Sequence, residues 1–142
     1  MNKIEKATKL HNDGFNCSQS VVGVFCESLG IDEITAMKFA GGFGGGLCCG
    51  EVCGAVSGAA IVIGLKYGQY DCDDKESKEE CKKVTSQFLE EYKNRNNEIV
   101  CRELLGFDIR DKESLDKNLD KKQIICSNAI KTAIIILEEM GF

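Results

Sequence analysis

Gly41-Gly42-Phe43-Gly44-Gly45-Gly46-Leu47-Cys48-Cys49-Gly50 runs directly into Glu51-Val52-Cys53-Gly54-Ala55-Val56-Ser57-Gly58-Ala59-Ala60-Ile61-Val62-Ile63-Gly64-Leu65-Lys66-Tyr67, and these two pieces decide the fold. The first cannot be a regular helix, because each glycine costs about 1 kcal/mol there against alanine. It reads as a loop of unusual backbone geometry. The second reads as a helix from about Glu51 to Tyr67, ended by Gly68, and is apolar around most of its circumference. A helix without a polar face belongs at the centre of a domain. Gly54, Ser57, Gly58 and Ala60 are small, so a neighbouring backbone can approach closely. A glycine-rich loop feeding a buried central helix is the expectation.

On the N-terminal side, Ile4, Ala7 and Leu10 fall at helical spacing between about Lys3 and Asn12. Gly14 ends that helix, and Asn16 caps a second whose buried stripe is Val21, Val22, Phe25 and Leu29. Gly30 closes it, and Asp32 caps a short third helix to about Ala40. On the C-terminal side, Asp73 or Asp74 caps a long polar helix from about Lys75 to Lys93, with Cys81, Val84, Phe88, Leu89 and Tyr92 facing inward. Cys101 to Gly106 reads as a turn, and Asp108 to Lys122 as a charged surface loop with at most one helical turn. A last helix runs from about Gln123 to Met140. No strand is required. The prediction is an all-α, single-domain bundle of five or six helices over residues 1–142.

The chain has 142 residues, 43% hydrophobic and 29% charged, the balance of a globular domain. With 23 acidic against 18 basic residues and a net charge of -5, it lacks the basic face expected of a nucleic-acid binder or of a protein docking on anionic lipid. There is no proline, so long helices are permitted throughout. The longest apolar run, Ala55 to Leu65, is short of the roughly 20 residues that span a bilayer, and Met1 to Lys6 carries no apolar signal core. A cytoplasmic location is expected, without membrane insertion. Thiols are reduced there, so nine cysteines, an odd number, are not a disulfide framework.

The glycine run is not a phosphate loop. It has the wrong register for a dinucleotide fingerprint, no Lys-Ser or Lys-Thr pair, and no strand before it. It can instead deliver bare backbone amides beside the start of the central helix. Cys53 lies about one turn into that helix, where the positive end of the helix dipole favours a thiolate. The alternative for Cys53 is a buried small residue on an apolar helix. Cys17, between Asn16 and Ser18, also falls in a first helical turn. Cys126-Ser127-Asn128-Ala129-Ile130 echoes Cys17-Ser18-Gln19-Ser20-Val21, and Cys101 precedes Arg102, whose charge would favour a thiolate.

Cys53-Gly54-Ala55-Val56-Ser57-Gly58 is a CGAxxG motif, and the chain resembles the redox-active proteins named for the cysteine pattern C-GCAxxG-C-C. Phe15 to Val21 looks like the first cysteine segment, Gly42 to Gly46 like the glycine-rich run, and Cys101 to Gly106 like the third cysteine segment. Cys126 falls at the fourth. The resemblance therefore selects Cys17, Cys53, Cys101 and Cys126, and leaves Cys26, Cys48, Cys49, Cys72 and Cys81 as extras. Cys26 is expected in the core. Cys48 and Cys49 are close enough to Cys53 to act as resolving thiols or alternative ligands, and stand where the family leads one to expect glycine. Similarity of the family to the cysteine-bearing part of split-Soret cytochromes implies an iron–sulfur centre; haem does not carry over, since no Cys-x-x-Cys-His is present.

Three chemistries follow. Four thiolates can hold an iron–sulfur cluster, with Gly44, Gly45 and Gly46 supplying amides to its sulfurs. Zinc is less suited, because structural zinc ligands usually come in Cys-x-x-Cys pairs. A metal-free thiol–disulfide oxidoreductase is the second reading, with Cys53 as nucleophile and Cys17 or Cys49 resolving. A non-catalytic carrier of a soft metal ion is the third. The redox partner is not specified by any motif. His11, the only histidine, sits among charges and reads as a surface residue, so a hydrolytic triad lacks its base. The small residues of the central helix would also support a homodimer.

Overall fold

Asparagine and aspartate set most of the helix starts. Asn2 and Asn16 each form a complete capping box, with Glu5 and Gln19 reaching back to the cap backbone. Asp32, Asp74 and Asp111 accept from the first free amides of three more helices. The computed structural model describes residues 1–142. Its elements are α1 (Lys3–Asn12), α2 (Cys17–Phe25), α3 (Glu33–Ala40), α4 (Gly54–Tyr67), α5 (Lys75–Asn96), α6 (Cys101–Leu105), α7 (Lys112–Lys117) and α8 (Leu119–Glu139), with one 3₁₀ turn at Glu27–Leu29.

α4 is the central helix. It packs against α2, α5 and α8, and buries Ala55, Val56, Ala59, Val62 and Ile63. The small residues do what their size permits. A Cβ on Gly58 would sit 3.0 Å from Ser18 O, so the α2 backbone lies directly on α4 there. Phe25, Phe88, Tyr92, Ile134 and Leu137 complete one continuous core. No helix is long and apolar enough to cross a membrane.

The fold is all-α as expected, and the helix count rises to eight. Cys101–Leu105, read as a turn, is a short helix closed by Gly106 in the left-handed conformation. The one helical turn expected within the Asp108 to Lys122 loop is the short helix Lys112–Lys117, and α8 begins at Leu119 rather than at Gln123. The start of α4 differs as well. Glu51–Cys53 is extended, not helical, because Val52 pairs antiparallel with Val100. Cys53 N–H donates to Ile99 O at 2.7 Å and Cys101 N–H to Glu51 O at 2.6 Å. These cross-chain bonds satisfy amides that would otherwise be orphaned, and outweigh local helix propensity. They also tie Cys53 and Cys101 together.

Candidate functional site

Cys17 is the first residue of α2, held there by the Asn16 cap. The glycine-rich loop is moulded on that start. Asn16 Nδ2 donates to Gly41 O at 3.1 Å, and a Cβ on Gly44 would fall 2.4 Å from Asn16 Cβ. From Gly45 to Cys48 the backbone is left-handed, with φ of 62° at Gly45, 60° at Gly46 and 59° at both Leu47 and Cys48. Left-handed backbone in non-glycine residues is strained, by about 1–2 kcal/mol each, a cost borne here by Leu47 and Cys48, while the Gly45 amide favours the Cys17 thiolate. Gly54 is required for another reason. A Cβ there would lie 2.4 Å from Cys17 Sγ, so only glycine leaves room for this sulfur.

Cys53 is the N-cap residue of α4, not a residue one turn inside it. Its sulfur interacts with the Ala55 amide and with the Cys17 sulfur, and Tyr92 Oη lies 3.8 Å away. Cys101 opens α6, and Cys126 lies about two turns into α8. All four sulfur-bearing side chains line one cavity of about 350 Å³. Its walls include Gly45 and Gly54 together with Leu104, Leu105 and Ile109, and its rim carries His11 and Lys122. Of the three glycines expected at a cofactor, Gly45 lines the cavity; Gly44 backs onto Asn16, and Gly46 packs on Glu51 and Cys101.

The four thiols differ in charge. Cys17 is pulled down to about 6, first by the hydrogen bond from the Cys53 thiol and then by the amides of Gly45, Cys17 and Ser18, against burial. Cys53 is pushed well above the ordinary thiol value, by that same bond, by burial and by the charge on Cys17. The pair is thus a Cys17 thiolate accepting from a Cys53 thiol. Burial pushes both Cys101 and Cys126 up to about 11. Arg102 lowers Cys101 only slightly, because its guanidinium is drawn away to Glu51 at 2.6 Å. The favourable effect expected of Arg102 is therefore overridden by burial.

No three of the four sulfurs lie within 4.8 Å of one another; the one such trio of potential ligands is the exposed Asp71, Cys72 and Asp73. A single tetrahedral zinc ion with Zn–S near 2.3 Å would hold its sulfurs about 3.8 Å apart. The cavity is looser than that. The remaining cysteines stay outside it. Cys26 is buried and donates to Gly23 O at 3.3 Å, Cys49 bonds Gly46 O at 3.4 Å, Cys48 and Cys72 are exposed, and Cys81 is half-buried on α5. All nine are free thiols.

Three further side chains bear on the site. His11, read as a surface residue, is half-buried on the rim; burial and then Lys122 lower its pKa. Lys122 makes no ion pair within 4 Å and acts electrostatically on His11, Cys101 and Cys126. The spacing of Tyr92 places it in the core, and nothing local in the sequence shows that its hydroxyl meets a sulfur. A family model described as "Putative redox-active protein (C_GCAxxG_C_C)" matches residues 15–140. No curated protein and no solved structure matches the chain.

Proposed function

The chain belongs to this redox-active family, and from that premise we propose that Cys17, Cys53, Cys101 and Cys126 together hold an iron–sulfur cluster for electron transfer. The carrying observation is the convergence of four thiols from four distant segments on one cavity of about 350 Å³. Four thiolates are the donor set of [2Fe–2S] and [4Fe–4S] centres, and ligands on different irons stand further apart than ligands on one ion. When bound, such a cluster supplies a one-electron carrier. The chain's own residues hold and tune the site. Gly45 and Ala55 direct amides at the Cys17 and Cys53 sulfurs, and hydrogen bonds of this kind raise a cluster's potential. Lys122 offsets negative charge at the rim. The aliphatic wall limits water, and a reducing compartment such as the cytoplasm would keep the ligands as free thiols.

The thiolate–thiol pair favours a second reading, metal-free dithiol exchange. Cys17 Sγ⁻ would attack a substrate disulfide and release one half as a thiolate, leaving a mixed disulfide. Cys53 would then lose its proton to that leaving thiolate and attack Cys17 Sγ, closing a Cys17–Cys53 disulfide and releasing the other half. In this scheme Cys17 attacks and Cys53 resolves.

Iron and acid-labile sulfide analysis of protein prepared without oxygen decides between them. The cluster reading expects equal iron and sulfide in the wild type, loss in each of Cys17→Ser, Cys53→Ser, Cys101→Ser and Cys126→Ser, and retention in Cys26→Ser and Cys72→Ser. Failure to take up iron and sulfide, with a Cys17–Cys53 disulfide formed on mild oxidation, would replace it by the dithiol reading.

A further inference from the structure

Tyr92 is completely buried, and its hydroxyl has two polar neighbours, Cys53 Sγ at 3.8 Å and the Asn96 side chain one helical turn further along α5. Buried tyrosines find partners for their hydroxyls, so the direction of each bond matters. Asn96 Oδ1 accepts from Asn128 Nδ2 at 3.5 Å. Its Nδ2 is buried with no close partner of its own, and is turned toward the phenol. An amide N–H can only donate. The phenol hydroxyl donates to the Cys53 sulfur at 3.8 Å, and the Asn96 Nδ2 group, which makes no hydrogen bond of its own, can face the phenol oxygen only as a donor. Cys53 in turn is coupled to Cys17, whose thiolate it favours. Asn128 donates to Asn96 and Tyr92 donates to Cys53, so both bonds point toward the Cys17–Cys53 pair.

We propose that Tyr92 is a positioning residue, oriented by Asn96, whose hydroxyl donates to the Cys53 sulfur and raises the reduction potential of the centre. This rests on Cys53 belonging to the redox centre proposed above, but not on which couple the centre uses. A reduced cluster carries more negative charge on its sulfurs. Two-electron reduction of a Cys17–Cys53 disulfide likewise leaves a thiolate in the pair. A donor favours the more negative state in both couples, so the sign is the same.

The test compares wild type with Tyr92→Phe, Asn96→Leu and the double variant, in two preparations. One is reconstituted with iron and sulfide and titrated anaerobically by its visible absorbance; the other is metal-free, equilibrated in glutathione buffers and scored by free-thiol count. Tyr92→Phe should make reduction about tenfold less favourable, or about 59 mV lower for a one-electron couple and about 30 mV for a two-electron one. Asn96→Leu should lower the potential by less, and the double variant should match Tyr92→Phe alone, because Asn96 acts through Tyr92. An unchanged potential in Tyr92→Phe overturns the proposal, whatever the iron content. Should that variant not fold, an unchanged potential in Asn96→Leu overturns it, and so does additivity in the double variant. Loss of iron uptake with a thiol couple that still shifts would sink the cluster and keep Tyr92; no couple at Cys53 in either preparation would sink both.

Discussion

Replacing Cys53 by alanine removes the donor that does most to hold Cys17 as a thiolate, and the consequence can be worked through. Cys17 stands at about 6 instead of 9.0. At pH 7 its thiolate fraction is then about 0.9, against about 0.01 for an unperturbed thiol. A weaker base is also a weaker nucleophile; with a Brønsted slope near 0.45, three units cost about 20-fold in intrinsic reactivity. The net advantage over an unperturbed thiol is about fourfold at pH 7 and about 20-fold at pH 6. The assay is a short iodoacetamide pulse on metal-free protein from pH 4.5 to 9.5, with the Cys17 peptide quantified by mass spectrometry. Cys17 in the denatured chain gives the reference curve. Because the thiol is nearly buried, access scales the whole curve and the midpoint is the quantity to read. The wild type should show a midpoint near pH 6. In Cys53→Ala the midpoint should rise by about one unit or more, since burial then opposes only the backbone amides. A wild-type midpoint near 9, or the same midpoint in both proteins, would refute the thiolate–thiol pair.

The same pair gives metal-free protein a pH-dependent stability. Cys17 is depressed on folding, so its contribution is fully present above its unfolded value of 9.0 and is lost as pH falls through about 6. Chemical denaturation should therefore show stability declining from pH 9 to 6, with a shallower decline in Cys17→Ser. Gly54→Ala would put a Cβ 2.4 Å from Cys17 Sγ and should cost about 1–3 kcal/mol, with a raised Cys17 alkylation midpoint. Gly64→Ala, on the same helix with nothing within 4 Å, should instead stabilise by about 0.5–1 kcal/mol; matched melting temperatures would show that packing at Gly54 had been misread. Asn16→Ala loses the α2 cap and the bond to Gly41 O, and should cost about 1–2 kcal/mol by urea denaturation.

What the chain shows without coordinates is what depends on local pattern. The apolar circumference of Val52 to Leu65 marked a central helix, and Asn16, Asp32 and Asp74 marked helix starts by their capping chemistry. The convergence of Cys17, Cys53, Cys101 and Cys126 rested on a family resemblance, because no local signal links segments so far apart. The features missed were all long-range. Glu51–Cys53 reads as helix until Val100 pairs with Val52 and draws it out. Arg102 reads as a partner for Cys101 until Glu51, distant in sequence, takes its guanidinium. His11 reads as a surface residue until α8 brings Lys122 and Gln123 beside it. Tyr92 reads as core, which it is, while the direction of its hydroxyl depends on Asn96 and on Asn128 from another helix.

The most direct test is an anomalous difference map at the iron edge, from crystals grown without oxygen. Iron peaks inside the cavity, bonded to the sulfurs of Cys17, Cys53, Cys101 and Cys126, are the predicted result. A cavity without iron, or iron held instead by Cys48 or Cys49, would contradict it.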